Sequence, residues 1–246
     1  MADDRVDLSG CKALVTGAAH RLGRATALAL AESGADILVH CYSSRAAASK
    51  LTNEIVALGR RAEVVVADLT SAPETKERFE AAIDAFGGLD ILINNVGTIV
   101  WKDLASHDAD DWQTCLDGTL FATLHASQAA LPALRRSGRG RILNILDADA
   151  DSTNPAPFAT AYKIGKRAAF TLTKTMAVTE AEHGVTVNAV SPGTLEDSPT
   201  KPALEAIPAG RYGTYKDVAG AVLHLASESA SYVTGAHLKV SGGYLV

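Results

Sequence analysis

Two side chains that could share a proton lie four residues apart in this chain. Tyr162 and Lys166 belong to the Ala-rich stretch Ala161-Tyr162-Lys163-Ile164-Gly165-Lys166. In a helix, positions i and i+4 occupy one face, so the ammonium sits beside the phenol. A phenol alone has a pKa of about 10, and a cationic neighbour holds it closer to ionisation. That makes Tyr162 a general acid or base near neutral pH and Lys166 its activator. The same spacing also occurs on plain solvated helix faces. Its meaning therefore depends on what the rest of the chain places around it.

A second group of residues could hold a phosphate. Thr16-Gly17-Ala18-Ala19-His20-Arg21-Leu22-Gly23 follows a β-type run and opens the helical Arg24-Ala25-Thr26-Ala27-Leu28-Ala29-Leu30. Gly17 permits a tight turn and Gly23 permits close packing of helix on strand. The free N–H groups at the helix start favour a pyrophosphate. The end of the second strand then selects the nucleotide. An NAD site offers Asp or Glu there for the ribose 2′-hydroxyl. This chain has Val39-His40-Cys41-Tyr42-Ser43-Ser44-Arg45, and Asp36 lies too early, at the strand's start. Ser43, Ser44, Arg45 and Arg21 suit a 2′-phosphate, with His40 and Tyr42 beside them, so NADP(H) is the expected cofactor.

Short β-branched runs alternate with Ala/Leu-periodic segments, the pattern of a parallel sheet with crossover helices. Strands are expected at Lys12-Thr16, Asp36-His40, Glu63-Ala67, Ile91-Asn94, Arg141-Leu146, Val185-Val190 and His237-Val240. The fold class is thus α/β, one doubly wound seven-stranded parallel sheet of the Rossmann type, with residues 1–246 as a single domain. The stretch from about 192 to 213 holds four prolines and no clear periodicity, and it follows the sixth strand. Ligands of such sheets bind outside the carboxyl ends of the strands, which makes this segment a substrate loop.

Composition agrees. Hydrophobic residues are 47% and charged residues 21% of 246, and a net charge of -5 argues against a nucleic-acid surface. Cys11, Cys41 and Cys115 lack metal-ligand spacing and read as reduced thiols, and the seven histidines form no ligand cluster. The polar, acidic start from Met1 to Gly10 is unlike a signal peptide, and no uninterrupted apolar run suits a membrane. A cytoplasmic location is expected.

Thr16-Gly17…Gly23, Asn94-Asn95-Val96-Gly97, Tyr162…Lys166 and Pro192-Gly193, in this order, resemble the short-chain dehydrogenase/reductase family. The resemblance covers essentially the whole chain and includes Tyr232-Val233-Thr234-Gly235…Val240-Ser241-Gly242-Gly243. It implies that Asn95, Val96 and Gly97 line the adenosine side, that Asp68 and Leu69 contact the adenine, and that Pro192, Gly193 and Thr194 lie near the nicotinamide. It also implies hydride transfer from the nicotinamide, a proton from Tyr162, and a grip of Lys166 on the nicotinamide ribose. No metal is needed. Family members are commonly tetramers or dimers, so a homo-oligomer, most simply a homotetramer, is expected.

Two departures bear on the substrate. Where the family usually has a Ser that holds the substrate oxygen, Arg141-Ile142-Leu143-Asn144-Ile145-Leu146 is followed by Asp147. Ser152 is the nearest hydroxyl, well past the strand end. A bare carboxylate repels a developing alkoxide but stabilises a protonated or developing iminium. Asp in that position, and Arg21 for the middle Gly of the turn, are similar to the pteridine reductases, which reduce ring C=N bonds. There an aromatic stacks on the pterin; its place falls near Ile99, with Trp101 two residues on. The second departure is Thr119, where the family usually has an Asn that supports a water relay behind the Lys.

The sequence thus leads to an NADPH-dependent oxidoreductase acting on a small molecule, with a pterin- or imine-like C=N substrate as the first expectation. The alternatives are a carbonyl reductase, for example of 3-oxoacyl thioesters, and an NADP-binding protein with impaired catalysis.

Overall fold

The computed structural model describes residues 6–245; residues 1–5, which begin the acidic start, lie outside them. Among the described residues seven strands form one parallel sheet: β1 (Lys12–Val15), β2 (Asp36–Cys41), β3 (Ala62–Val66), β4 (Ile91–Asn94), β5 (Arg141–Ile145), β6 (Thr186–Pro192) and β7 (His237–Val240). Their order is β3-β2-β1-β4-β5-β6-β7, so the chain winds one way from β1 and the other way from β4. That reversal opens a crevice beyond the carboxyl ends of β1 and β4. Strands covered on both faces are mostly apolar, and β4 and β5 are buried at every residue, with Asn94, Arg141 and Asn144 as their polar members.

The helices are α1 (Arg21–Glu32), α2 (Arg45–Ala57), α3 (Ala72–Phe86), α4 (Ala109–Leu116), α5 (Ala122–Ser137), α6 (Thr160–Thr179) and α7 (Tyr215–Ala226). On one face Leu30 of α1, Leu51 and Ile55 of α2, and Val218 and Val222 of α7 pack on Val15, Ile37 and Val39. On the other, Phe79 and Phe86 of α3, Leu134 of α5 and Met176 of α6 pack on Leu14, Leu38 and Leu92. Phe79 is fully buried, and truncation to Ala costs about 3–5 kcal/mol. Local signals set the ends. Ser71 caps α3, which stops at Gly87 in the left-handed region (φ 84°), and Thr214 with Asp217 forms a capping box on α7.

All seven strands lie where the periodicity predicts them. β6 runs two residues beyond the expected end because Ser191 and Pro192 pair with Lys239 and Val240 of β7. The segment after it is built rather than loose. Leu195 and Gly213 form a parallel bridge at its base, a short 3-10 turn spans Leu204–Ala206, and the Tyr212 hydroxyl donates to the Pro202 carbonyl at 2.9 Å. No helix of the described residues is long and apolar enough to cross a membrane.

Candidate active site

The Gly turn leaves β1 at the switch point and is tied to three strands. Asn95, just past β4, donates from its side chain to the Thr16 carbonyl (3.0 Å). The Thr16 hydroxyl in turn accepts the N–H groups of Asn95 (2.8 Å) and Val96 (3.2 Å). A Cβ on Gly23 would stand 2.4 Å from the Gly17 carbonyl oxygen, so only glycine lets α1 approach the turn this closely. α1 begins with no side-chain cap and no acid in its first turn, so its leading N–H groups are left for an anion.

His40 was expected to meet the nucleotide directly, but it is 1% exposed. Its Nδ1 accepts the Gly17 N–H at 3.1 Å and its Nε2 donates to the Ala67 carbonyl at 3.1 Å. Burial pushes its pKa down to about 4, so the ring is neutral in this tautomer and supports the turn from behind. Tyr42, Ser43 and Arg45 are exposed at the end of β2 and the start of α2, with Ser44 half-buried. Arg21 departs from expectation. Its Nε donates to Asp197 Oδ2 at 2.9 Å and its Nη2 to the Asp197 carbonyl at 3.2 Å, with the Tyr215 hydroxyl alongside. The guanidinium is thus engaged by Asp197 in the segment after β6 and by the start of α7, while the Arg21 backbone sits at φ 51°, where the family's Gly would sit without strain. Asp68 accepts from the Thr70 hydroxyl at 2.7 Å, and the buried Leu69 offers its carbonyl to His125. Gly193 packs on Ser241, and Thr194 accepts the Gly213 N–H that closes the loop base.

α6 carries the expected acid. A buried ladder runs from Ser127 through Asn94 and Asn144 to Thr173, with each link at 2.8 or 2.9 Å, and it fixes α6 against β4 and β5. Gly165 receives the π-helical turn Asp117–Phe121 in close contact: a Cβ there would meet the Thr119 hydroxyl at 2.1 Å. Thr119 donates that hydroxyl to the Cys115 carbonyl at 2.5 Å, so it is committed within its own helix rather than turned toward Lys166. Lys166 is buried, its ammonium 5.7 Å from the Tyr162 ring centre and donating to the Ile145 carbonyl at 2.8 Å. Burial pulls its pKa down to about 8, with Asp147 opposing. For Tyr162, burial and then the Asp147 and Asp149 carboxylates push the pKa up, opposite to the direction that the Lys166 spacing implies by itself.

Tyr162 opens into a cleft of about 720 Å³ whose walls include Asp147, Lys163, Trp101, Ile99, Thr194 and Arg21. Trp101 is exposed and stacks on Phe158, rings 7° from parallel and 6.4 Å between centres. Asp147 is not bare. Lys163, between Tyr162 and Lys166 in the sequence and with no motif to single it out, sits 3.0 Å from Asp147 and 2.7 Å from Asp149. Burial works against its charge, but the two carboxylates outweigh it and hold the ammonium above its ordinary pKa. Ser152 lies away from this pair, accepting the Asn154 N–H at 3.3 Å. Lys163 and Asp147 stand sixteen residues apart in sequence, so only the fold brings them together.

The residues present suit a dinucleotide: a glycine turn at the switch point, an uncapped helix start, and a buried ammonium with N–H groups beyond the one given to Ile145. Residues 17–245 match the family model described as enoyl-(acyl carrier protein) reductase. A 3-oxoacyl-[acyl-carrier-protein] reductase of Synechocystis sp. is 35% identical over 95% of this chain and 96% of its own. Among solved structures, a blue fluorescent protein from a metagenomic library, in complex with NADPH, superposes with a TM-score of 0.90 at 33% identity. The match covers 98% of this chain and 100% of that one. A gluconate 5-dehydrogenase from Burkholderia cenocepacia, in complex with NADP and tartrate, gives 0.91 at 29% identity, covering 98% and 97%. With an all-parallel sheet wound about β1 and β4, a glycine turn at the switch point and Tyr162 and Lys166 at the cleft, the chain belongs to the short-chain dehydrogenase/reductase family.

Proposed function

We propose that the chain is an NADPH-dependent reductase of a ketone carbonyl, with 3-oxoacyl thioesters the substrate type to try first. One observation carries this reading. Asp147, in the place where a Ser would hold the substrate oxygen, is paired with Lys163 at 3.0 Å, so the cleft does not confront a developing oxyanion with an unbalanced charge. The named relatives support the carbonyl reading over the C=N reading. The absence of an acid at the end of β2, together with solved relatives in complex with NADP or NADPH, supports NADP(H) as the cofactor. Exposed Ser43 and Arg45, with Ser44, would receive its 2′-phosphate, and the α1 N–H groups its pyrophosphate.

Bound NADPH supplies the hydride. Tyr162 gives its proton to the substrate oxygen, and burial keeps that phenol protonated until it is needed. Lys166 would hold the nicotinamide ribose with the N–H groups not given to Ile145 and so orient the cofactor beside Tyr162. Residues of the segment from Pro192 to Pro202 would wall the substrate on one side, with Trp101 on another.

A C=N substrate is the second reading, favoured by Asp147 in place of Ser and by Arg21 in the turn. Steady-state NADPH oxidation over a panel of 3-oxoacyl thioesters, simple ketones, imines and dihydropterins separates the two. Ketone turnover that survives or rises in Asp147→Ser is the expected result. Brisk turnover of imines or dihydropterins with inert ketones, abolished in Asp147→Ser, sinks the carbonyl reading.

A further inference from the structure

The position that holds a Ser in the family is Asp147, with no hydroxyl to donate there, yet a donor stands beside it. Lys163 follows Tyr162 directly in α6 and lines the same cleft. An ammonium has three N–H donors. One is given to Asp149 Oδ1 in a hydrogen bond of 2.7 Å, and Asp147 Oδ1 faces the ammonium as an ion-pair partner at 3.0 Å, which leaves at least one N–H. Asp149 is 6% exposed and also lies 3.8 Å from the Arg167 guanidinium, so two carboxylates face two cations and the cluster is balanced without the substrate. A long flexible side chain is a poor donor unless something fixes it; here two carboxylates on one turn do so.

We propose that Lys163 is the second oxyanion donor of this enzyme, giving its third N–H to the substrate carbonyl oxygen beside the Tyr162 hydroxyl. Asp147 and Asp149 are positioning residues that aim it. The proposal rests on the carbonyl reading above and gives that site its missing group. The substrate class it suits is a ketone whose oxygen gathers charge as the hydride arrives, since a fixed cation then gains more from the transition state than from the bound ketone.

Lys163→Met tests this directly. The expected result is a fall in kcat for ketone reduction of about 10²–10³, the loss typical of one oxyanion donor, with NADPH affinity unchanged by fluorescence titration. A second pair of variants guards against misfolding, because Lys163→Met alone strips two carboxylates of their partner. Asp147→Ala/Lys163→Met and Asp147→Ser/Lys163→Met both leave Asp149 with Arg167 and differ only in one hydroxyl. The Ser double variant should regain turnover at least tenfold over the Ala double variant, and this gain should shrink when Lys163 is kept (Asp147→Ser against Asp147→Ala), which a merely structural role for Lys163 does not predict. Wild-type turnover in Lys163→Met, or equal rates in the two double variants, overturns the proposal. If the wild-type enzyme reduces no ketone, the carbonyl reading itself has failed, and the panel shows this before any variant is made.

Discussion

Lowering the pH should loosen the nucleotide turn through one buried imidazole. His40 is fully enclosed, accepts the Gly17 N–H, and has its pKa pushed by burial from 6.5 down to about 4. In the unfolded chain the ring takes up a proton near pH 6.5, while in the folded protein it resists until about pH 4. The unfolded state therefore binds more protons between these values, and stability falls as the pH is lowered through that window. The gap corresponds to about 3.4 kcal/mol in full at about 1.36 kcal/mol per unit, of which about 2 kcal/mol is lost between pH 7 and pH 5. Urea unfolding of the wild-type protein and of His40→Asn at each pH isolates this contribution, since the other titrating groups are common to both. The wild-type curve should fall more steeply by about 2 kcal/mol over those two pH units. Parallel curves would refute the assignment of His40 as a buried neutral acceptor.

The same geometry yields further expectations. Tyr162→Phe should lower kcat by about 10²–10⁴ while NADPH still binds, checked by steady-state rates against fluorescence titration. The rate of ketone reduction should decline as the pH rises through about 8, where Lys166 loses its charge while Tyr162 keeps its proton; a profile flat to pH 9.5 contradicts this role for Lys166. Gly23→Ala forces a Cβ against the Gly17 carbonyl and should destabilise the fold by about 1–3 kcal/mol and weaken NADPH binding, read by thermal melting with and without cofactor. Arg21→Gly relieves the left-handed backbone but frees Asp197 and Tyr215, so limited proteolysis within 192–213 should accelerate with little change in melting temperature.

Periodicity and turn chemistry made the scaffold legible. Most strands are apolar runs between turn residues, although β7 carries His237 and Lys239 among its four, and the glycine turn marks where β1 ends. The supports of the site were less so, because they join residues remote in sequence. His40 reads as a nucleotide contact at the end of β2, and only its burial and its bonds to Gly17 and Ala67 make it a prop. Arg21 reads as a phosphate ligand in an anion-binding turn. Its partner Asp197 lies 176 positions away, in a segment with no periodicity to place it. Thr119 occupies the expected spot, but the π-helical turn that points its hydroxyl at Cys115 leaves no pattern in the residues.

Asp147 and Lys163 read differently once considered together. An isolated carboxylate at a half-buried position is costly, and so is an isolated ammonium; each is tolerable because the other is 3.0 Å away. Asp147 with Lys163 thus puts a balanced ion pair where the family has a neutral hydroxyl. The pair leaves Asp147 without an unbalanced charge and, on the proposal above, supplies an N–H in place of the hydroxyl beside Tyr162. Charge alone, read from Asp147, pointed toward an iminium; charge with its partner in place points back to a carbonyl oxygen. The enzyme's substrate preference should accordingly follow the partner of Asp147 more than Asp147 itself.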